Sequence, residues 1–241
     1  MDDGGERVDE TFYKQIIGSL MYITNTRPDL QFSVSLLSRF MSKPTQLHVQ
    51  AAKRVLRYLR GTVDFGIWYK RGGSGEIQVY TDSDFAGDVE SRKSTSGYVF
   101  LMDDAAVAWL SKKQPIVTLS TTEAEYVAAS ICACQAVWFK RVLEELGHRV
   151  REGTIIWCDN TSTIKLSKNP VFHGRCKHIG VRFHFLRELV NNGEICLEHC
   201  SSQEQVADIL TKPLRREVFE DLRGKLGICS VASKLSLVNQ A

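Results

Sequence analysis

Acidic residues stand where extended segments stop. Ile77-Gln78-Val79-Tyr80-Thr81 runs into Asp82, with Asp84 and Asp88 close behind, and IIWC at 155–158 runs into Asp159. STTEAEYVA opens a long helical pattern with Glu123 and Glu125 in its first turn, and Asp208 sits in QEQVADILTK, another helical pattern. A single Asp at such a place is ordinarily a turn or cap residue. Four carboxylates gathered from separate elements would repel and raise one another's pKa values. A divalent cation reverses that cost, and hard Mg²⁺ prefers carboxylate oxygen and water. Two such ions about 4 Å apart can activate a water and stabilise a leaving oxygen in phosphodiester cleavage. In an open sheet with helices, functional groups gather at strand ends and helix starts, so Asp82 and Asp159 become neighbours if their strands pair in parallel.

The elements that must hold these acids can be read from periodicity. RGGSG at 71–75 is a linker signal, with three glycines in five residues. Before it the pattern is helical. YKQIIGSLMYITN carries Ile16, Ile17, Leu20 and Met21, and SVSLLSRFMS carries Val34, Leu36, Leu37 and Phe40. QLHVQAAKRVLRYLRGT places Ala51, Val55 and Leu59 on one stripe and Lys53, Arg57 and Arg60 on another. Pro28 and Pro44 stand where helices would start. After the linker, 76–82, 97–103 and 105–110 alternate like strands, and the apolar run IVTLS follows Pro115. The pattern from Ser120 to His148 is helical, as one helix or two meeting near Cys134, with Ser120 or Thr121 as its cap. Strand IIWCD, helix NTSTIKLSK, a loop at Pro170, helix KHIGVRFHFLRELVNN, strand EICLEHC and helix QEQVADILTK complete the series. Three adjacent strands followed by alternating helices and strands predict an α/β fold, a mixed sheet flanked by helices. From Arg215 the chain reads as a short helix and a loose tail.

Composition excludes several classes. With 43% hydrophobic and 24% charged residues the 241-residue chain is globular, and no apolar run approaches the ~20 residues a bilayer demands. MDDGGERVDE lacks the layout of a secretory signal, so an intracellular place, cytoplasmic or nuclear, is expected, with no membrane partner. Seven scattered cysteines without a CxxC argue against a disulfide framework. His178, His184, Cys196 and Cys200 form an H-x5-H…C-x3-C series that misses the common zinc spacings. Residues 11–75 hold ten Lys or Arg against Asp29 and Asp64, residues 1–10 hold one Arg against five acids, and 76–241 hold 20 basic against 21 acidic residues. That asymmetry suits either a solvated helix face or a polyanion partner.

VYTDSDFAGD, RKSTSGYVF, AWLSKKQ, STTEAEYVA, CDNTSTI, KHIGVRFHFLRE and EQVADILTKPL, in that order, resemble the ribonuclease H domain of copia-type retrotransposon Pol polyproteins. YKQIIGSLMYITNTRPDLQFSVSLLSRFM and AAKRVLRYLRGT resemble the end of the reverse transcriptase that precedes it. The resemblance covers residues 11 to about 216. It implies a ribonuclease H-like fold, a five-stranded mixed sheet flanked by helices, over 76–214. A small mainly helical segment resembling a reverse transcriptase thumb or connection would precede it over 1–75, and a tail would follow over 215–241. It also implies a D-E-D-D site that holds two Mg²⁺ ions, with Mn²⁺ as a substitute, and cuts the RNA strand of RNA/DNA hybrids. By position, Asp82 matches the first acid, Asp159 the third and Asp208 the fourth. The second falls on Glu125, because Ala124-Glu125-Tyr126-Val127-Ala128 fits the family's A-E-hydrophobic-x-A pattern and Glu123 does not. Residues two apart on a helix diverge by about 200°, so only one of the pair can face the ions. Asp84 and Asp88 then belong to the turn after Asp82.

On the substrate side, Ser83, Ser120, Thr121 and Asn160 are candidates to read the 2′-hydroxyls of a hybrid. Lys112, Lys113, Arg92 and Lys93 are candidates to track phosphates. His199 matches loosely a family histidine that assists proton transfer. Two departures stand out. The family's K-H-I-D is here Lys177-His178-Ile179-Gly180, and no Y-x-D-D polymerase motif occurs. The expectation is a metal-dependent hybrid ribonuclease without polymerase activity, a fragment or remnant of Pol, with the remaining Pol domains as further partners. The alternatives are a folded but inactive nucleic-acid-binding remnant and, with less support from the motifs, an integrase- or resolvase-type nuclease of the same superfold.

Overall fold

The computed structural model describes residues 5–148, 153–168 and 180–232. In chain order the elements are α1 (Glu10–Ile23), α2 (Gln31–Ser38), α3 (Gln46–Gly61), β1 (Phe65–Ile67), β2 (Ile77–Ser83), β3 (Thr95–Met102) and β4 (Ala105–Lys113). Then come α4 (Thr121–Glu145), β5 (Thr154–Cys158), α5 (Thr161–Lys168), α6 (Gly180–Asn191), β6 (Ile195–His199), α7 (Arg216–Lys225) and β7 (Ile228–Ser230), with short 3-10 turns at Pro28–Leu30 and Val206–Leu210. Packing divides the chain into two units. One takes in the described residues of Met1–Ser74, Asp103–Ala106 and Pro213–Ala241, the other Gly75–Met102 and Val107–Lys212.

In the first unit, helical spacing sets Tyr13, Ile17 and Leu20 of α1 against Leu30, Val34 and Leu37 and against Val49, Ala52 and Val55 of α3. The buried ring of Tyr13 satisfies its one polar atom by donating to the Leu37 carbonyl at 2.9 Å. On α3 Val55 is buried and Leu59 half-buried as expected, but Ala52 is buried in place of the exposed Ala51, while Lys53, Arg57 and Arg60 face solvent. Pro28 starts a 3-10 turn rather than an α-helix. Arg27 is buried beside it, donating to both oxygens of Asp29 at 2.9 and 2.7 Å. The described residues 214–232 are not a separate tail. α7 and β7 belong to this unit, and β7 pairs antiparallel with β1, Phe65 opposite Ser230 and Ile67 opposite Ile228.

The second unit is built on a five-stranded sheet in the order β4-β3-β2-β5-β6. β2 runs antiparallel to β3, with Val79 opposite Phe100 and Asp82 opposite Gly97, and parallel to β5, which is parallel to β6. Alternation along the strands sends Val79, Phe100, Ile156 and Leu197 to one face. There they pack against Tyr126, Val127, Ala129, Cys132, Ala133 and Ala136 of α4 and against Leu166, Leu186 and Leu189. Small side chains continue along α4, which runs unbroken for 25 residues through Cys134. On the other face Gly97 leaves room for the Val206–Leu210 turn, since a Cβ there would meet Thr211 Cγ2 at 2.7 Å and Leu210 Cβ at 2.9 Å. The result is a ribonuclease H-like architecture. One element differs from the sequence reading: Asp208 lies on the 3-10 turn and not in an α-helix. The Gln205 side chain accepts from Ala207 N–H and so stops a turn from growing backwards, while Pro213 offers no N–H to extend it.

Candidate active site

β2 and β5 run in parallel, so their C-terminal ends deliver Asp82 and Asp159 to one edge. Asp82 is only 1% exposed. Its Oδ2 accepts from the Thr211 hydroxyl and lies 3.6 Å from Lys212 Nζ. The same ammonium pairs with Asp208 Oδ1 at 2.8 Å, so one lysine spans the first and fourth acids. Asp159 is half-buried and accepts from Ser202 Oγ at 3.0 Å.

Glu125 enters from α4, just past its first turn. Burial, then the charges of Asp82 and Asp159, push its carboxyl well above the usual range, although Ser83 N–H donates to it. Cys158 Sγ is 4.0 Å from Glu125 Oε2, and Glu125, Cys158 and Asp159 offer ligand atoms within 4.8 Å of one another. Burial and the neighbouring Glu125 charge hold the Cys158 thiol far above its ordinary value. Asp208 is pushed up to about 7 by burial and by Asp82, against the opposing pull of Lys212. Lys212 is raised in turn, because Asp82 and Asp208 outweigh its own burial.

Glu123 is turned elsewhere. Ser120 Oγ accepts from Glu123 N–H at 3.2 Å, and Glu123 Oε2 accepts from Leu119 N–H at 2.7 Å, a reciprocal cap at the helix start. Asp84 accepts from Thr95 N–H. Asp88 accepts from Ser91 N–H at 2.9 Å and from Lys113 at 3.1 Å. Burial would raise the Asp88 carboxyl, but these donors hold it well below the ordinary carboxylate range.

The chain is 42% identical over 228 residues to the retrovirus-related Pol polyprotein from transposon RE1 of Arabidopsis thaliana, covering 95% of this chain and 16% of that one. It is 44% identical over 220 residues to the Pol polyprotein from transposon TNT 1-94 of Nicotiana tabacum, covering 90% and 16%. The chain belongs to the copia-type retrotransposon Pol family. It spans 16% of the length of these curated Pol relatives. A stretch of 127 residues is also 50% identical to Secreted RxLR effector protein 161 of Plasmopara viticola, covering 52% of this chain and 89% of that one. No family model matches. Among solved structures, LC11-RNase H1 in complex with RNA/DNA hybrid aligns with a TM-score of 0.42 at 14% identity, covering 56% of this chain and 94% of that one. The fold is assigned from strand order and register rather than from so weak a likeness.

The other residues singled out in this Pol-family chain are dispersed around the four acids. Ser83 is buried, and its hydroxyl donates to the carbonyls of Asp84 and Thr95. Ser120 caps α4, and Asn160 Oδ1 caps α5 by accepting from Thr163 N–H at 3.0 Å. Lys93 donates to the Pro115 carbonyl at 2.7 Å, and Lys113 is paired with Asp88. Thr121, Lys112, Arg92 and His199 are exposed, His199 sitting opposite Cys158 at the end of β6. Lys177, His178 and Ile179 lie outside the described residues, so neither the KHIG segment nor the His178–Cys200 series acquires a geometry. Sequence reasoning assigned no role to Thr211, Lys212 or Gln114. The i, i+4 spacing of Lys212 from Asp208 was the one available signal.

Proposed function

We propose that the second unit is a divalent-metal-dependent ribonuclease H that hydrolyses the RNA strand of RNA/DNA hybrids within a retrotransposon Pol. The observation that carries this reading is the convergence of Asp82, Glu125, Asp159 and Asp208, from four elements, at one end of the sheet. Their chemistry fits hard cations: the donors are carboxylate oxygens, and Glu125 and Asp208 are raised by burial and then by repulsion from neighbouring acids, which bound cations would relieve. Burial and the neighbouring Glu125 charge raise the Cys158 thiol, which disfavours the thiolate that a soft metal would need. These four acids would hold two Mg²⁺ ions, or Mn²⁺ in their place, which would supply an activated water and charge neutralisation at the leaving oxygen.

The chain's own groups prepare the site. Thr211 fixes Asp82, Ser202 fixes Asp159, Ser83 N–H fixes Glu125, and Lys212 restrains Asp82 and Asp208 together. Thr121, Ser120 and Asn160 at the rim would meet 2′-hydroxyls, and exposed Lys112 and Arg92 would meet phosphates. Exposed His199, at the end of β6, would carry a proton. Lys113 and Lys93, already engaged, serve the loop before they serve a substrate.

The test is a gel assay with an end-labelled hybrid, a DNA duplex and an RNA duplex in Mg²⁺. Cutting confined to the RNA strand of the hybrid is expected. A folded protein that cuts none of the three would overturn the ribonuclease reading in favour of an inactive nucleic-acid-binding remnant.

A further inference from the structure

Gln114 follows directly on β4 and is 2% exposed. Its backbone N–H donates to the Ser94 carbonyl at 2.8 Å. Its side-chain Nε2 lies 3.1 Å from Ser83 Oγ, 2.9 Å from Ser96 Oγ and 3.0 Å from the carbonyl oxygen of Ala124. Ser83 follows Asp82 and Ala124 precedes Glu125. Ser83 also donates its own backbone N–H to the Glu125 carboxylate. One carboxamide therefore ties the end of the strand that carries the first acid to the first turn of the helix that carries the second.

The orientation of that amide follows from its surroundings. A carbonyl oxygen only accepts, so the group facing Ala124 must be the NH₂. The other end, Oε1, is buried with no hydrogen-bond partner among the described residues. An apolar side chain of the same length would fill this space without leaving a buried oxygen unpartnered. Space-filling alone does not account for an amide here.

We infer, resting on the nuclease reading above, that Gln114 is a positioning residue that sets the separation of the Asp82 and Glu125 carboxyl groups. Those two groups repel, and the strand end and the helix start that bear them come from elements about forty residues apart in sequence. By holding Ser83 and Ala124 to one point, the carboxamide opposes their spreading. It thereby fixes the distance at which two carboxylates can share a divalent cation. It touches neither the acids nor any reacting atom.

The experiment uses the full chain and compares wild type with Gln114→Met, which keeps length and removes the hydrogen bonds. Gln114→Glu keeps shape and sets an oxygen against the Ala124 carbonyl. Leu189→Ala, in the α6 core outside the site, controls for lost stability. Melting temperature without metal, Mg²⁺ affinity by calorimetry, and kcat and KM on a labelled hybrid are measured. Both Gln114 variants should weaken Mg²⁺ binding and lower kcat by about 10- to 100-fold, the range usual for groups that orient metal ligands. KM should be unchanged, and Leu189→Ala should lower the melting temperature with kcat and Mg²⁺ affinity intact. Folded Gln114 variants with wild-type Mg²⁺ affinity and kcat would overturn the inference, as would equal losses in Leu189→Ala. If both Gln114 variants fail to fold, Ser96→Ala decides, because it removes one anchor of the amide. Wild-type Mg²⁺ affinity in that variant would reduce Gln114 to a structural cross-link. Mg²⁺ binding is read without catalysis. A wild type that binds Mg²⁺ and cuts no hybrid refutes the ribonuclease reading while the affinity losses still decide Gln114. A wild type that binds no Mg²⁺ overturns both.

Discussion

Asp159 and Asp208 share a site but are held differently, and their substitutions should behave differently. Asp159 is half-buried and restrained mainly by Ser202. Asp159→Asn keeps shape and hydrogen-bonding capacity while removing one charge from a crowded set. The metal-free protein should fold with an equal or higher melting temperature, because repulsion relaxes. Hybrid cleavage in Mg²⁺ should nonetheless fall by orders of magnitude, and equal cleavage by both proteins would refute the site. Asp208 titrates near 7 in the folded chain against about 4 when unfolded. Between those values the folded state holds a proton that the unfolded state has released. Metal-free stability should therefore fall as pH rises from about 4 to about 7, and the raised Glu125 acts in the same direction. Melting curves across that window should slope downward with pH, and Asp208→Asn should flatten them. Saturating Mg²⁺ should remove the slope as well, by favouring the ionised form.

Among the elements, the N-terminal end of α4 does two jobs with two glutamates two residues apart. Glu123 closes the cap through Leu119 N–H, and Glu125 reaches Asp82 and Asp159. Glu123→Ala should cost about 1 kcal/mol, the usual value of a helix cap, and leave hybrid cleavage in place. Glu125→Gln should abolish cleavage without that loss of stability. Activity that follows Glu123 instead would exchange their roles. The 3-10 turn bearing Asp208 depends on the absence of a side chain at Gly97. In Gly97→Ala the new methyl must push Thr211 and Leu210 aside. Chemical denaturation should show a loss of about 1–3 kcal/mol, the range for overpacking, with cleavage reduced because Asp208 and Lys212 move with the turn.

At the scale of the whole molecule, charge is unevenly shared. The basic excess of residues 11–75 includes the exposed Lys53, Arg57 and Arg60 on α3. If that face tracks phosphates, hybrid affinity should drop steeply with salt. Replacing all three with Gln should then flatten the slope of log K against log salt by about one unit per residue. An unchanged slope would leave only a solvated helix face.

Periodicity and motif are local properties, and what they encode was legible in the sequence. The helices before residue 61, the three leading strands, the alternating helices and strands as far as β6 and the strand-end acids Asp82 and Asp159 follow from short-range spacing, whereas the helix expected around Asp208 is a 3-10 turn. The choice of Glu125 over Glu123 rests on the resemblance, through the family's A-E-hydrophobic-x-A pattern at Ala124–Ala128. What escaped is what depends on residues far apart in the chain. Thr211 reaches Asp82 across 129 positions and Gln205 reaches Thr81 across 124. β7 returns to β1 over a hundred and fifty residues later and draws the described part of the expected tail into the first unit. Gln114 reads locally as one more polar residue after a strand. Only the tertiary structure brings Ser83, Ser96 and Ala124 around its amide, because hydrogen-bond partners are chosen by distance in space and no sequence period encodes that distance.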